Sequence, residues 1–285
     1  MNLQIRPLSY SLGSEIIGVD LSSSLDDASF NQIYAAFLEH YLLLFRGQRL
    51  TREQHIAFSR RFGEVYINDE AYGAVQAKRI TGEHPEIILR KPVPGKPYKP
   101  NWHSDLSSML KPAQASLLRA VEVPEVGGDT MFANMYLAYD TLSEGMKKLI
   151  DGLYGVHIGG DRSRIDNSTP ERAAETRRLN TVAHPIVRVH PETGRKALCI
   201  SEKVKFLAGM TREESAPLIK FLIEHATRPQ LVYRHQWTND DLLVWDNRCT
   251  LHNALDDYDH TKVRHLERTT VRGTPSGHLY TQATQ

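Results

Sequence analysis

Short apolar segments recur along the chain, and turn-forming residues separate them from one another and from only a few helical stretches. The clearest of these segments are residues 42–45, 113–123, 242–245 and 266–271. Apolar runs with such boundaries are typical of buried β-strands. A chain with many short strands and few helices is predicted to be mainly β, a barrel or jelly roll with decorating helices.

Helical patterns are confined to a few places in the sequence. Asp27 opens the first, in which apolar side chains recur at the spacing of one helix face, namely Phe30, Ile33, Tyr34, Phe37 and Leu38. Thr51 and Gln54 have the spacing of a capping box for a second helix. Further helices are predicted at 134–154 and 213–226. Because no GxGxxG or Walker pattern follows a strand, a nucleotide-binding α/β fold is not expected.

The 285 residues are expected to form one domain, residues 1–285, with a polar, lid-like excursion at about 159–181. The formal net charge of +1 argues against nucleic acid or a membrane surface as the main partner. The two cysteines, Cys199 and Cys249, cannot supply a disulfide framework, so a reducing cytoplasm is the expected location. No apolar run approaches the length of a signal-peptide core or a membrane span.

One triplet is the strongest candidate for a metal site. His103 stands two positions before Asp105, and on a β-strand such positions point to the same face. Similar triplets elsewhere show that the spacing alone is common, but the Trp before this triplet and the Leu after it favour a strand edge beside a buried pocket. The best third ligand is His252, which follows the predicted strand at 242–245. Two His and one Asp form the facial arrangement that suits non-haem Fe(II) and leaves three coordination positions open.

Open positions suit a keto-acid co-substrate that chelates two of them and O₂ that takes the last. A chelating keto acid also needs an anchor for its far carboxylate. Arg264 offers a planar guanidinium with two parallel hydrogen bonds, and Thr130 offers a hydroxyl for the same group. Arg268 follows Arg264 at an even spacing, which predicts the same strand face and a position from which it can hold the anion of the substrate.

Four ordered blocks carry a family resemblance over nearly the whole chain. They are LFRG at 44–47 with RFG at 61–63, NWHSD at 101–105, GGDT at 127–130, and WDNR at 245–248 with His252, Arg264 and Arg268 beyond it. Together they resemble the taurine dioxygenase family, which includes the dioxygenases that attack phenoxyalkanoate herbicides such as 2,4-dichlorophenoxyacetate. The resemblance implies a double-stranded β-helix, or jelly roll, that binds Fe(II) and uses 2-oxoglutarate and O₂.

The resemblance also implies roles for single residues. The iron ligands would be His103, Asp105 and His252. Thr130 and Arg264 would hold the distal carboxylate of 2-oxoglutarate, and Arg268 would hold the carboxylate or sulfonate of the primary substrate. The implied reaction hydroxylates an aliphatic C–H bond and converts 2-oxoglutarate into succinate and CO₂.

The chain departs from taurine dioxygenase where that enzyme contacts its substrate. Asn68 and Ala71 stand in place of a substrate-contacting His and Tyr, and Lys99 replaces an Asn. A small anionic carboxylate or sulfonate other than taurine is therefore the expected substrate, with Asn68 and Lys99 among its contacts. The Arg264 assignment needs a one-residue insertion, so Arg264 and Arg268 could exchange roles. Family members are often dimers or tetramers, which predicts a homo-oligomer.

Two other classes of protein fit the same three candidate ligands. A mononuclear zinc hydrolase could use two His, an Asp and a water molecule, and it would need neither O₂ nor 2-oxoglutarate. A non-catalytic binding barrel of the cupin type would tolerate the change of His103 to Ala with little loss of ligand binding.

Overall fold

The computed structural model describes residues 3–67, 80–91, 100–159, 178 and 180–281. This part of the chain contains five α-helices, which are α1 Asp27–His40, α2 Arg52–Arg60, α3 Met135–Asp140, α4 Glu144–Ile150 and α5 Arg212–Ala226. The predicted polar excursion, apart from a few residues at its ends, lies outside the described residues.

Strands outnumber helices in the described chain. They are β1 Gln4–Pro7, β2 Ser14–Ile17, β3 Leu42–Phe45, β4 Ile80–Thr81, β5 His84–Arg90, β6 Ala113–Glu122, β7 Thr130–Asn134, β8 Tyr154–Ile158, β9 Thr181–Pro185, β10 Val187–Val189, β11 Lys196–Leu198, β12 Val204–Leu207, β13 Val232–His235, β14 Leu242–Asp246, β15 Thr250–Ala254, β16 His265–Arg272 and β17 His278–Leu279. The prediction of a mainly β fold with decorating helices is confirmed.

Local capping explains where the first two helices begin. The side chain of Asp26 accepts a hydrogen bond from the backbone N–H of Ser29 at the start of α1. At the start of α2, Thr51 and Gln54 form the predicted capping box, in which each side chain accepts from the backbone N–H of the other residue. Such bonds satisfy N–H groups that have no partner inside the helix.

The prediction of one helix over residues 134–154 is wrong. The chain forms α3 and α4 with a break between them, and it then enters β8 at Tyr154. The break has a local cause, because Ser143 takes an extended backbone conformation and its Oγ accepts from the N–H of Met146, which starts a new helix. Gly152, with a φ of 76°, makes the turn into β8.

The largest sheet has eight strands in the order β1-β2-β3-β14-β6-β16-β5-β4. Smaller sheets have the orders β13-β7-β15, β12-β8-β9-β17 and β10-β11. Phe132 of β7 packs against Trp245 of β14 with 5.4 Å between the ring centroids, so the three-stranded sheet faces the eight-stranded one across an apolar core. Two facing sheets around one core give the double-stranded β-helix that was predicted.

Helices α1 and α2 cover the outer face of the large sheet. Phe37 of α1 and Phe58 of α2 pack in one buried cluster with Val244 and Val271 of that sheet. On β16, Glu267 forms an ion pair with Arg52 of α2. Because side chains alternate along a strand, the neighbouring residues of β16 point instead into the space between the sheets.

Among the described residues, none of the helices combines the length and the apolar character that crossing a membrane requires.

Candidate metal centre

Backbone pairing brings two histidines together at the edge of the three-stranded sheet. The N–H of His103 donates to the carbonyl of His252 over 3.0 Å, and the N–H of His252 donates to the carbonyl of His103 over 2.9 Å. Their ring centroids are 4.2 Å apart. His103 makes this single bridge, and Asp105 lies in the turn that follows, so the expected continuous strand through the triplet is wrong. The turn, in which Leu106 has a φ of 55°, still aims the carboxylate at the histidines.

His103, Asp105 and His252 form one group of possible metal ligands. One side-chain donor atom from each of them lies within 4.8 Å of the other two. Asp105 Oδ2 is 3.9 Å from His252 Nε2. Nδ1 of His103 is 2.9 Å from the carbonyl of Asn101, so it donates there and leaves Nε2 as the metal-binding nitrogen.

The protonation states of these side chains suit a divalent cation. Burial lowers the pKa of His103 and lowers that of His252 further, so both imidazoles are neutral. Burial opposes ionisation of Asp105, but the charge of Arg268 holds the pKa of this carboxyl well below its usual range. Two neutral imidazoles and a carboxylate are the donor forms that bind a metal ion.

A hydrogen-bond network that the sequence analysis missed holds Asp105 in place. Ser116 Oγ donates to Asp105 Oδ2 over 2.7 Å and accepts from Asn247 Nδ2 over 2.9 Å. Asn247 Oδ1 accepts from the N–H of Asp105 over 3.1 Å and from Trp245 Nε1 over 3.1 Å. Asn247 and Ser116 were not among the predicted site residues, and the signal for Ser116 was a hydroxyl between the apolar residues Ala115 and Leu117.

Arg268 lies beside this centre on the inner face of β16. Its side chain is 3% exposed, and Nη1 donates to Asp105 Oδ1. In the register of the sheet Arg268 is opposite Leu118 of β6 and Ile88 of β5. The residue that was predicted to hold the substrate anion is therefore in direct contact with a candidate metal ligand.

Thr130 and Arg264 lie near each other at the start of β7. In the pairing of β7 with β15, Phe132 is opposite His252 and Thr130 is opposite Ala254. Because Thr130 and Phe132 are two positions apart on β7, Thr130 lies on the same inner face as His252. Arg264 donates from Nε and Nη2 to the carbonyl of Gly128 over 3.0 and 2.9 Å. A Cβ atom at position 128 would lie 2.9 Å from Arg264 Nε, and the φ of 68° also favours glycine there.

Arg264 and Arg268 do not lie at an even spacing along one regular strand, contrary to the prediction from the sequence. Arg264 precedes β16, and the register with β6 shifts between His265 and Leu266. A register shift interrupts the alternation of side chains, so spacing alone does not relate the two residues.

Arg90 is a further charged residue near the centre that the sequence analysis missed. It ends β5 opposite Leu266, two positions after Ile88, which is opposite Arg268. Because residues two positions apart on a strand share a face, Arg90 lies on the inner face of the sheet. Its positive charge lowers the pKa values of all three candidate ligands. The signal in the sequence was a cation directly after an apolar run.

Two of the predicted substrate contacts, Asn68 and Lys99, lie outside the described residues.

A second group with metal-binding side chains, His190, Asp246 and Cys249, is better explained by hydrogen bonds. His190 Nδ1 accepts from two backbone N–H groups over 3.2 Å, so Nε2 carries the proton and donates to Asp246 Oδ2 over 3.0 Å. Arg248 donates to both carboxylate oxygens of Asp246. Burial raises the pKa of the Cys249 thiol well above its usual value, which keeps it protonated. The nitrogen and oxygen atoms that would have to bind a metal ion are therefore already hydrogen-bonded, and the thiol is protonated.

The fold and the first group of ligands together define a class of protein, the jelly-roll enzymes with a mononuclear metal on two His and one carboxylate. A family model described as "Taurine catabolism dioxygenase TauD, TfdA family" matches residues 4–270. The chain belongs to this family. It is an α-ketoglutarate-dependent dioxygenase that uses Fe(II), 2-oxoglutarate and O₂. This family assignment favours the predicted enzyme class over the zinc hydrolase and the binding barrel.

Individual relatives agree with the family assignment. An (S)-phenoxypropionate/alpha-ketoglutarate-dioxygenase of Sphingobium herbicidovorans is 35% identical, over 95% of this chain and 96% of its own. An alpha-ketoglutarate-dependent sulfate ester dioxygenase of Pseudomonas putida is 33% identical, over 96% of this chain and 90% of its own. A crystal structure of a taurine dioxygenase from Burkholderia xenovorans superposes with a TM-score of 0.82 at 38% identity, covering 97% of this chain and 92% of that one.

Proposed function

We propose that this enzyme hydroxylates an aliphatic C–H bond of a small organic carboxylate or sulfonate, with succinate and CO₂ as the products of 2-oxoglutarate. In this proposal the iron is held by His103, Asp105 and His252. When bound, the iron supplies the oxidising chemistry, and the side chains around it bind and orient the two organic substrates. The observation that carries the proposal is the convergence of these three donors beside two guanidinium groups.

The two guanidinium groups support an anionic substrate. Arg268 donates a hydrogen bond to Asp105, so an anion that contacts Arg268 would lie directly beside the metal. A guanidinium presents five N–H donors in a planar fork, which allows it to contact a ligand carboxylate and a substrate anion together. Arg90 adds a second positive charge from the neighbouring strand. Asn68 and Lys99 stay predicted contacts on the basis of the sequence alone.

The second organic substrate needs an anchor away from the iron. Thr130 lies at the start of β7, which pairs with the strand of His252, and Arg264 reaches the adjacent Gly128 from the segment before β16. We assign the distal carboxylate of 2-oxoglutarate to these two residues. Charge-assisted hydrogen bonds from Arg264 and a hydroxyl bond from Thr130 would fix the orientation of the keto acid. Arg264 holds the Gly128 carbonyl through two N–H groups, which keeps its side chain extended toward β7.

The iron assignment is tested by anaerobic addition of Fe(II) and 2-oxoglutarate, which should give a visible charge-transfer band. The band should be lost in Asp105→Ala and His252→Ala. The matched control is His260→Ala, which removes a histidine whose side chain is 58% exposed and should leave the band unchanged. A wild-type protein without the band, or one that hydrolyses substrates without O₂, would contradict the proposal.

The substrate is tested by release of succinate over a panel of small sulfonates, phenoxyalkanoates, and amino or hydroxy acids. The productive compounds should be anionic, and their turnover should require both O₂ and 2-oxoglutarate. In Arg268→Ala the KM for the productive compound should rise. A preference for neutral compounds would refute the role of the two arginines. The homo-oligomer stays a prediction, which sedimentation of the purified protein would test.

A further inference from the structure

A small cavity lies next to the metal centre but outside it. Its volume is about 20 Å³. We call it the Arg188 cavity, and the polar residues that define it are Ser107, His157, His184, Arg188, Cys199 and Ser201. It also touches Ser104 and Asn247, which are neighbours of the candidate metal ligands. None of the six residues that define the cavity has a part in the proposed reaction.

Arg188 is a buried cation without an acidic partner. The residue is 7% exposed, and no hydrogen bond or ion pair joins its side chain to any described residue. No Asp or Glu is among the described residues that line the cavity. Arg248, which lines the same cavity, instead pairs with Asp246 and Glu192. A guanidinium removed from water without a counter-charge is unfavourable, so the cavity carries an uncompensated positive potential.

Apart from Arg248, which is paired, the other titratable groups of the cavity are neutral. Burial, the neighbouring His184 and Arg188 lower the pKa of His157 to about 3, and burial with Arg188 lowers that of His184 to about 4. Burial raises the pKa of the Cys199 thiol. None of these groups can supply the missing negative charge near neutral pH.

Several of these groups can donate a hydrogen bond into the cavity. Both ring nitrogens of His157 and Nε2 of His184 are buried without a hydrogen-bond partner among the described residues. A neutral imidazole carries one N–H, and a serine hydroxyl such as that of Ser107 carries one O–H. Buried polar atoms without protein partners usually mark the position of a bound water molecule or ion.

We propose that the Arg188 cavity binds one small inorganic anion such as chloride. The guanidinium of Arg188 supplies the counter-charge, and His157 and Ser107 supply further donors. The cavity has room for at least one water-sized particle. The proposal does not depend on the reaction or on the substrate of the enzyme.

The anion would also stabilise one side of the metal centre. Ser104 Oγ donates to the carbonyl of Asn247 over 2.8 Å, and Asn247 in turn accepts from the N–H of Asp105. Both Ser104 and Asn247 contribute to the wall of the cavity. An anion in the cavity would therefore stabilise the segment that positions Asp105, a candidate metal ligand.

The first test is thermal unfolding of the full-length protein in sodium chloride and in sodium gluconate at constant ionic strength. The Tm should rise with the logarithm of the chloride concentration above Kd, by about 5 °C at one hundred times Kd. Arg188→Met, which keeps the length of the side chain without its charge, should lose this dependence. Arg228→Met changes an exposed arginine and should keep it.

The second test is crystallographic and needs no variant, so it stands even if Arg188→Met does not fold. Crystals grown in sodium bromide should show an anomalous peak for bromide beside Arg188. A cavity that contains only water, or a wild-type Tm that is the same in chloride and gluconate, would overturn the proposal. A bromide peak without chloride dependence of the Tm would mean an adventitious ion only. Neither test measures catalytic turnover, so a negative result for the anion site is distinct from a failure of the proposed function.

Discussion

The change of Ser116 to Ala removes the hydroxyl that supports Asp105 and should weaken both the fold and the metal site. Ser116 is fully buried, and its Oγ donates to Asp105 Oδ2 over 2.7 Å and accepts from Asn247 Nδ2 over 2.9 Å. The substitution deprives a buried carboxylate and a buried amide of a partner at once. A bond to a charged group contributes roughly 1.5–3 kcal/mol and a buried donor left without its partner costs about 1–3 kcal/mol, so we expect the free energy of unfolding to fall by about 2–4 kcal/mol.

The metal affinity of the same variant should fall by about ten- to a hundredfold, because residues that orient a metal ligand have effects of that size. An anaerobic Fe(II) titration in saturating 2-oxoglutarate measures it, and urea unfolding measures the stability. The matched control is Ser14→Ala. Ser14 is also fully buried, but its Oγ has no hydrogen-bond partner among the described residues, so both quantities should stay near the wild-type values. Equal losses in the two variants, or no loss in Ser116→Ala, would refute the reasoning.

Three further predictions follow from charges near the site. Burial raises the pKa of Asp246, but the opposing charge of Arg248 prevails and the pKa is about 2. Because this value is below that of the unfolded chain, about 2 kcal/mol of stability is present above pH ~5 and is lost as the pH falls toward 2, and urea unfolding of Asp246→Asn should show a shallower decline. Arg264→Ala should raise the Kd of 2-oxoglutarate about tenfold or more with unchanged Fe(II) affinity, as the charge-transfer band measures. Arg90→Gln should raise the KM for an anionic substrate roughly two- to fivefold in steady-state assays, with the KM for 2-oxoglutarate unchanged.

Each of these three predictions has an outcome that contradicts it. Equal slopes for Asp246→Asn and wild type would mean that Asp246 is not the group that titrates. An unchanged Kd of 2-oxoglutarate in Arg264→Ala would show that the anchor is elsewhere, with Arg268 as the next candidate. A KM for the anionic substrate that is unchanged in Arg90→Gln would mean that the charge of Arg90 does not reach the substrate.

Short-range interactions allowed much of the secondary structure to be predicted from the sequence. The start of α1 and the capping box of α2 depend on residues three positions apart, and such bonds can be recognised without tertiary information. The apolar runs that became β3 and β14 are buried along their whole length. The error at residues 134–154 arose where Ser143 starts a new helix inside an apolar pattern that continues across the break.

The sequence by itself determined which side chains could bind iron, because the triplet at His103 and the block before His252 have recognisable patterns. Only the tertiary structure decided how they meet, since the bridge between His103 and His252 joins residues that are far apart in the chain. The tertiary structure also decided that Ser116 supports Asp105 and that Arg188 is buried without a counter-charge. The physical reason is that hydrogen bonding and desolvation depend on which strands pack together, and no local pattern in the sequence specifies that packing.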